Sequence, residues 1–276
     1  MIKKLNPMPT TQKSGSECLI LLLLISLSLL CTTCKGRPKF QMPKMPFITG
    51  ENLLAVVTPG ERDVWLAGEF GTIYHSRDGG TTWEKQQSGT ENNLVSACFI
   101  DNQNGWMCGI LGTIVHTSNG GKTWEQQITD TDRHLISIYF TDAQHGCAVG
   151  DMGTVITTAD GGKTWNSVME QSDIAYNCVF FADPRNGWMV GEFGSILHTS
   201  DGGKTWNKQT CKDIEPPPGD EEFAMPAPTL YAVCFKDSKR GWATGVGGTF
   251  IATEDGGKVW NGSGGMNAER LPRVGW

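Results

Sequence analysis

Apolar and polar residues alternate along this chain in short runs. Leu94-Val95-Ser96-Ala97-Cys98-Phe99 and Leu135-Ile136-Ser137-Ile138-Tyr139-Phe140 both read as half-buried strands. A polar turn follows each run, at Asp101 to Gly105 and Asp142 to Gly146, and again at Asp183 to Gly187 and Asp237 to Gly241. A second strand then opens at Trp65, Trp106, Trp188 or Trp242, with Cys147 at the same place in the third copy. A Gly-x-x-Gly turn closes it (Gly68/Gly71, Gly109/Gly112, Gly150/Gly153, Gly191/Gly194, Gly245/Gly248). A third strand such as Thr113-Ile114-Val115-His116 leads into a glycine-rich turn, and a fourth strand starts at a tryptophan.

This pattern repeats at a fixed period. The phrase Thr199-Ser200-Asp201-Gly202-Gly203-Lys204-Thr205-Trp206 has counterparts at Ser76 to Trp83, Thr117 to Trp124, Thr158 to Trp165 and Thr253 to Trp260. Trp83, Trp124, Trp165 and Trp206 are 41 residues apart; the step to Trp260 is 54, an excess of 13. Thirty residues before each stand Leu53, Leu94, Leu135, Tyr176 and Leu230, the starts of the first strands. Ala55, Ser96, Ser137, Cys178 and Ala232 recur inside those strands, as a crowded inner strand near a central axis requires. Four hairpin-linked strands per repeat predict an all-β fold, a β-propeller of four-stranded blades. Five blades are clear. Leu271 and Trp276 fall in register with the first strand of a partial sixth. Either Leu271 to Trp276 joins Phe47-Ile48-Thr49 to close the ring, or the sequence is a truncated reading of a longer propeller.

Residues 1–34 read as an export signal. Lys3, Lys4 and Lys13 precede the apolar run Leu19 to Leu30, which is short for a bilayer span and fits a signal-peptide core, with an uncleaved membrane anchor as an alternative. Cys31 and Cys34 after it are candidates for lipidation, as in a bacterial lipoprotein. Residues 35–51, with Pro38, Pro43 and Pro46, read as a tether, and 52–276 as the propeller, with an insertion at 211–229. All of this places the domain outside the cytoplasm. The net charge of −6 and the absence of a basic run beyond the N-terminus disfavour nucleic acid as a partner. A protein partner and a monomeric propeller are expected.

The repeated phrase resembles the Asp box, or BNR repeat, whose chemistry is structural. Asp78, Asp160, Asp201 and Asp255, with Asn119, are placed to accept backbone N–H bonds across their own turns. Thr82, Thr123, Thr164 and Thr205 can bond back to the turn, and Val259 cannot. Trp83, Trp124, Trp165, Trp206 and Trp260 are large enough to pack between blades. Copies such as Val190 to Trp206 look like one Asp-box family in particular, the photosystem II stability/assembly factors of chloroplasts and cyanobacteria, with relatives in many non-photosynthetic bacteria. The resemblance covers roughly Leu53 to Trp260. It implies an exported, seven-bladed, non-enzymatic propeller that binds a reaction-centre subunit during assembly through an arginine-rich patch. Here only five blades are clear, and the arginines (Arg62, Arg77, Arg133, Arg185, Arg240, Arg270, Arg273) recur at no one repeat position.

A sialidase-type site needs an arginine trio and a Tyr–Glu pair. Tyr74, Tyr139, Tyr176 and Tyr231 all fall at apolar strand positions. A glycosidase needs two facing carboxylates, and Glu69, Asp151 and Glu192 in the Gly-x-x-Gly turns are the acidic set near one face. A sugar-binding surface protein is the third reading. His75, His116 and His198 share a repeat position, but on separate blades, so no metal or other cofactor is expected. Cys98, Cys108, Cys147, Cys178, Cys211 and Cys234 read as buried thiols, with Cys211, inside the insertion, the one expected to be exposed. The expected contact surface is the face holding Glu69, Arg133, Asp151 and Glu192, together with the insertion around Phe223.

Overall fold

The computed structural model describes residues 50–215 and 226–262. They form five antiparallel four-stranded sheets, each in simple sequence order. Blade one is Leu53–Val57, Val64–Gly68, Ile73–Ser76 and Glu84–Gln86. Blade two is Leu94–Phe99, Gly105–Gly109, Ile114–Thr117 and Glu125–Gln127. Blade three is Leu135–Phe140, Gly146–Gly150, Val155–Thr158 and Asn166–Ser167. Blade four is Tyr176–Phe181, Gly187–Gly191, Ile196–Thr199 and Asn207–Gln209; blade five is Leu230–Phe235, Gly241–Gly245, Phe250–Thr253 and Asn261–Gly262. The meander follows from short alternating runs joined by tight turns, and the first strands of successive blades lie side by side. Tyr176 starts its blade in the same register as its leucine counterparts.

Small side chains on the first strands do more than relieve crowding. The Ser96 hydroxyl accepts the Ile138 N–H at 3.3 Å, and the Ser137 hydroxyl accepts the Val179 N–H at 3.2 Å. Cys98 Sγ takes the Phe140 N–H at 3.3 Å. Each bond ties one blade to the next near the axis, where a strand edge would otherwise face an unmatched neighbour.

The larger tie is aromatic. Trp65, on the second strand of blade one, is stacked by His75 from its own blade at 3.6 Å and by Phe99 of blade two at 4.8 Å. Trp106 repeats this with His116 at 4.5 Å and Phe140 at 3.6 Å, and Trp188 with His198 at 4.7 Å and Phe235 at 3.5 Å. Tryptophan and histidine are cross-strand partners in register, so the shared histidine position serves the stack. The three histidines belong to three different sheets and are not brought together. The box tryptophans Trp124, Trp165 and Trp260 set an edge against the phenylalanine of their own blade, 5.8–6.1 Å away. Trp206 does the same with Phe181 but stays half-buried.

The seam between blades three and four is built differently. Cys147 replaces the tryptophan and faces Thr157 instead of a histidine. Aliphatic and tyrosine packing fills in, with Val149, Val155, Met189 and Leu197 buried beside Tyr139. A cleft of about 200 Å³ remains there, lined by Cys147, Phe181, His145 and Lys204 among others. At the two ends of the series, Val56 is 68% exposed where Ile138, Val179 and Val233 are buried, and Trp242 is half-buried. Those are the faces that no further described blade covers. Phe47 to Thr49 and Leu271 to Trp276, the segments expected to bear on closure, lie outside the described residues, as do Cys31 and Cys34.

One expectation is corrected. Cys211 is 2% exposed, and its thiol lies 3.4 Å from the Trp260 carbonyl oxygen, in the core between blades four and five. Among the described residues, Cys234, on the inner strand of blade five, is the exposed thiol. The excess length of the insertion hid the fact that its first residues still pack as part of the repeat. Asp213 shares in this: its carboxylate accepts the Gly262 N–H at 2.7 Å.

Trp188 is fully buried between two rings, so Trp188→Ala should cost about 3–5 kcal/mol in chemical denaturation. The half-buried Trp242 should cost clearly less on the same substitution.

Candidate functional site

The blade turns gather into two rims. On one, the box turn sits beneath the turn joining the first two strands. Box glycine N–H groups bond its carbonyls, as in Gly120 to Gln103 at 3.0 Å and Gly202 to Arg185 at 3.0 Å. Asp78 Oδ1 accepts the N–H groups of Thr81 and Thr82 at 2.9 and 2.8 Å, and its Oδ2 accepts the Thr82 hydroxyl at 2.7 Å. Asp160 and Asp201 do likewise with Thr164 and Thr205. Asn119 takes the Thr123 N–H through its carbonyl and donates its amide N–H to the Thr123 hydroxyl at 2.8 Å. In the last copy Asp255 keeps the Val259 N–H bond and the Thr253 hydroxyl, and lacks only a hydroxyl from position 259. The Ser or Thr opening the box completes the turn, as when Ser76 Oγ donates to Asp78 and accepts the Gly80 N–H, both at 2.8 Å.

These bonds set the box electrostatics. The N–H groups and hydroxyls of Thr82 and Thr164 hold the carboxyls of Asp78 and Asp160 down at about 2, and the Thr205 hydroxyl, with its N–H, does the same for Asp201. Every box acid is thus committed to its own turn, on its own blade. Among the described residues no cluster of three His, Cys, Asp or Glu side chains is arranged to hold a metal ion.

Sequence reasoning missed a partner of the box. Gln127, on the outer strand of blade two, donates to the Gly161 carbonyl of blade three at 2.8 Å and accepts the Trp165 indole N–H at 3.1 Å. Gln209 does the same for Gly256 and Trp260 of blade five, at 3.0 Å each. The signal was present as Trp-x-x-Gln after Trp83, Trp124 and Trp206. Val168 breaks it at the seam that also lacks the stacked tryptophan.

The opposite rim carries the expected contact residues. It combines the Gly-x-x-Gly turns with the connections between blades, because turn N–H groups bond those connections: Gly112 to the Arg133 carbonyl at 2.7 Å, Gly153 to Ile174 at 2.7 Å, Gly194 to Pro228 at 3.0 Å. A side chain at Gly112 would put its Cβ 1.9 Å from the Thr131 carbonyl oxygen, so that close approach requires glycine. Asp151 accepts the His134 N–H at 3.0 Å, and Glu192 accepts that of Ala175 at 2.9 Å. Glu69 reaches the Asn52 N–H at 3.4 Å. One oxygen of each therefore steadies the entry to a blade. These three acids stand on blades one, three and four, and Arg133 on the connection into blade three. Phe223 lies outside the described residues.

Between the two glycines of each turn the backbone turns left-handed. Phe70, Leu111, Met152 and Phe193 have φ of 52–54°, and Gly247 has 67° at the matching place. Sequence reasoning passed over these residues, because an apolar side chain between strands reads as part of the core.

The family model described as Photosynthesis system II assembly factor YCF48 matches residues 28–118 and 118–220. A curated relative from Prochlorococcus marinus (strain NATL2A), the Photosystem II assembly lipoprotein Ycf48, is 34% identical over 62 residues. That match spans 22% of this chain and 18% of the relative, so the chain meets it over less than a fifth of its length. Among solved structures, YCF48 bound to D1 peptide superposes with a TM-score of 0.50 at 18% identity, covering 82% of this chain and 88% of that one. An ancestral GH74 enzyme gives 0.62 at 18% identity, over 81% of this chain and 33% of the enzyme. The GH74 xyloglucanase from Xanthomonas campestris gives 0.57 at 13%, over 76% and 38%. At such identities the structural likenesses show the propeller fold alone.

Two outcomes follow from the rims. The turn bonds hold Asp78, Asp160 and Asp201 at about 2 in the folded chain against 3.8 for an ordinary aspartate, so their stabilisation is full above about pH 4 and is lost as the pH falls through about 2. The thermal midpoint should drop across that window, and Asp160→Asn should flatten the drop, since Asn119 already closes the same turn. Phe193→Gly should leave stability unchanged or raise it by up to ~1 kcal/mol by calorimetry, because glycine accepts the left-handed backbone freely.

Proposed function

The chain belongs to the photosynthesis system II assembly factor YCF48 family, and we propose that it is a non-enzymatic binding module assisting the assembly of a membrane protein complex. The observation that carries this reading is the family match across residues 28–220, which covers the first four blades. A relative of the same fold has been solved with a D1 peptide, so a protein segment of a membrane-complex subunit is the class of partner to expect. The propeller suits that role. Its blades are locked by stacked rings and turn-bound acids, which leaves the rim of inter-blade connections to vary for recognition.

The module is exported and held at a membrane, through lipid on Cys31 or Cys34 or through the apolar run Leu19 to Leu30. It captures its client on the rim bearing Glu69, Arg133, Asp151 and Glu192, with the insertion around Phe223 alongside, and works as a monomer. The GH74 likeness motivates the rival reading, a glycoside hydrolase. Against it, Glu69, Asp151 and Glu192 each engage a backbone N–H on a separate turn and form no facing pair.

The test is a tagged pull-down from detergent-solubilised membranes, read by mass spectrometry. A membrane-complex subunit or its assembly intermediate should be recovered reproducibly. Deleting Glu215 to Pro226 should reduce that recovery without lowering the thermal midpoint. Failure to recover any such subunit, together with turnover of aryl glycosides abolished by Glu192→Gln, would replace this reading with the hydrolase.

A further inference from the structure

Four large apolar side chains stand in water at equivalent points of four blades. Phe70 is 68% exposed, Leu111 56%, Met152 37% and Phe193 57%. All sit at the left-handed tip of a Gly-x-x-Gly turn, a conformation that disfavours any residue with a Cβ. Blade five has Gly247 there, so the fold is satisfied by glycine at this point. An exposed side chain held in an unfavourable backbone conformation adds little to folding. Repeated apolar exposure on one rim marks an interaction surface.

The charge of the same rim selects the occupant. Its turns and connections (50–52, 69–71, 87–93, 110–112, 128–134, 151–153, 168–175, 192–194, 210–215, 226–229, 246–248) hold eleven carboxylates and two cations, Arg133 and Lys212. The turns of the opposite rim (58–63, 77–83, 100–104, 118–124, 141–145, 159–165, 182–186, 200–206, 236–240, 254–260) hold eleven carboxylates and ten cations. The asymmetry therefore lies in missing cations on the apolar rim. Glu69, Asp151 and Glu192 each stand directly before an apolar tip in sequence. Such a field repels anionic lipid headgroups, and a wholly apolar partner would strip water from carboxylates without replacing it.

We propose that this rim is a docking surface for a cationic protein segment in which Lys or Arg is interspersed with apolar side chains, the apolar groups meeting Phe70, Leu111, Met152 and Phe193. The proposal rests on the binding-module reading above and gives the client segment its chemistry. Side chains of both kinds are needed: apolar contact supplies burial, and opposite charge supplies steering and selectivity.

The probe is a fluorescein-labelled peptide of alternating arginine and leucine, with a glutamate–leucine peptide of equal length as its counterpart. Each is titrated with the full-length protein in a non-ionic detergent, by anisotropy, at low and high salt. The arginine peptide should bind saturably, weaken with salt, and bind the Phe70→Gly/Leu111→Gly/Met152→Gly/Phe193→Gly variant at least about tenfold more weakly. A second variant, Glu69→Gln/Asp151→Asn/Glu192→Gln, keeps the tips and should lose affinity and salt dependence together. The proposal is overturned by equal binding of the glutamate peptide, by absence of arginine-peptide binding, or by unchanged binding in the second variant. In the membrane pull-down, a client captured equally by wild type and the glycine variant sinks this surface and leaves the module reading standing. Arginine-peptide binding without any client captured by wild type supports the surface and sinks the module reading.

Discussion

Three of the four described seams of this propeller depend on a flat ring being held between two others. A four-stranded sheet cannot bury both of its faces alone, and a ring of blades is stable only if neighbouring faces fit. Here the fit is made at Trp65, Trp106 and Trp188, each clasped by a histidine behind and a phenylalanine from the next blade in front. Burial of the rings weights the histidines toward the neutral form: His75, His116 and His198 all protonate less readily than a free imidazole, chiefly because of desolvation. For His75 the bond to Asp63 at 2.9 Å works against that shift. The stack is thus an apolar joint built partly from a polar residue.

The Asp box complements this joint from the rim. Its carboxylate gathers the N–H groups of a turn whose glycines and threonine have no sheet partner, so the chain reverses at little cost in unsatisfied backbone. Asn119 shows that full charge is not required, and Val259 that the hydroxyl can be dispensed with once. What each copy keeps is an acceptor two residues into the box and a hydroxyl at its start.

Much of the fold was legible because the period is carried by large and unusual residues. Trp83, Trp124, Trp165 and Trp206 at constant spacing fix the blade, and the cross-strand pairs follow from alternation. The ties between blades were harder to read. Gln127 and Gln209 act on a blade other than their own, and Ser96 and Ser137 look merely small in the sequence while they bond the next inner strand. Cys211 departs from its expected exposure because the first residues of the insertion still pack as part of the repeat. The rim of Gly-x-x-Gly turns was legible through its acids, Glu69, Asp151 and Glu192, but not through its apolar tips. Whether Phe70 or Leu111 lies in the core or in water depends on one backbone angle that alternation does not encode.

The seam between blades three and four gives the molecule a grain. Where the other described seams from blade one to blade five are keyed by a stacked indole, this one is filled by aliphatic side chains around Cys147, and Val168 stands where a bridging glutamine would be. A repeat protein's cooperativity is the product of its neighbour couplings, so it divides where one coupling is least directional. Blades one to three and blades four and five are therefore the natural units of partial opening. A partner bridging Met152 and Phe193 would span that division, and binding there would act as a splint across the joint.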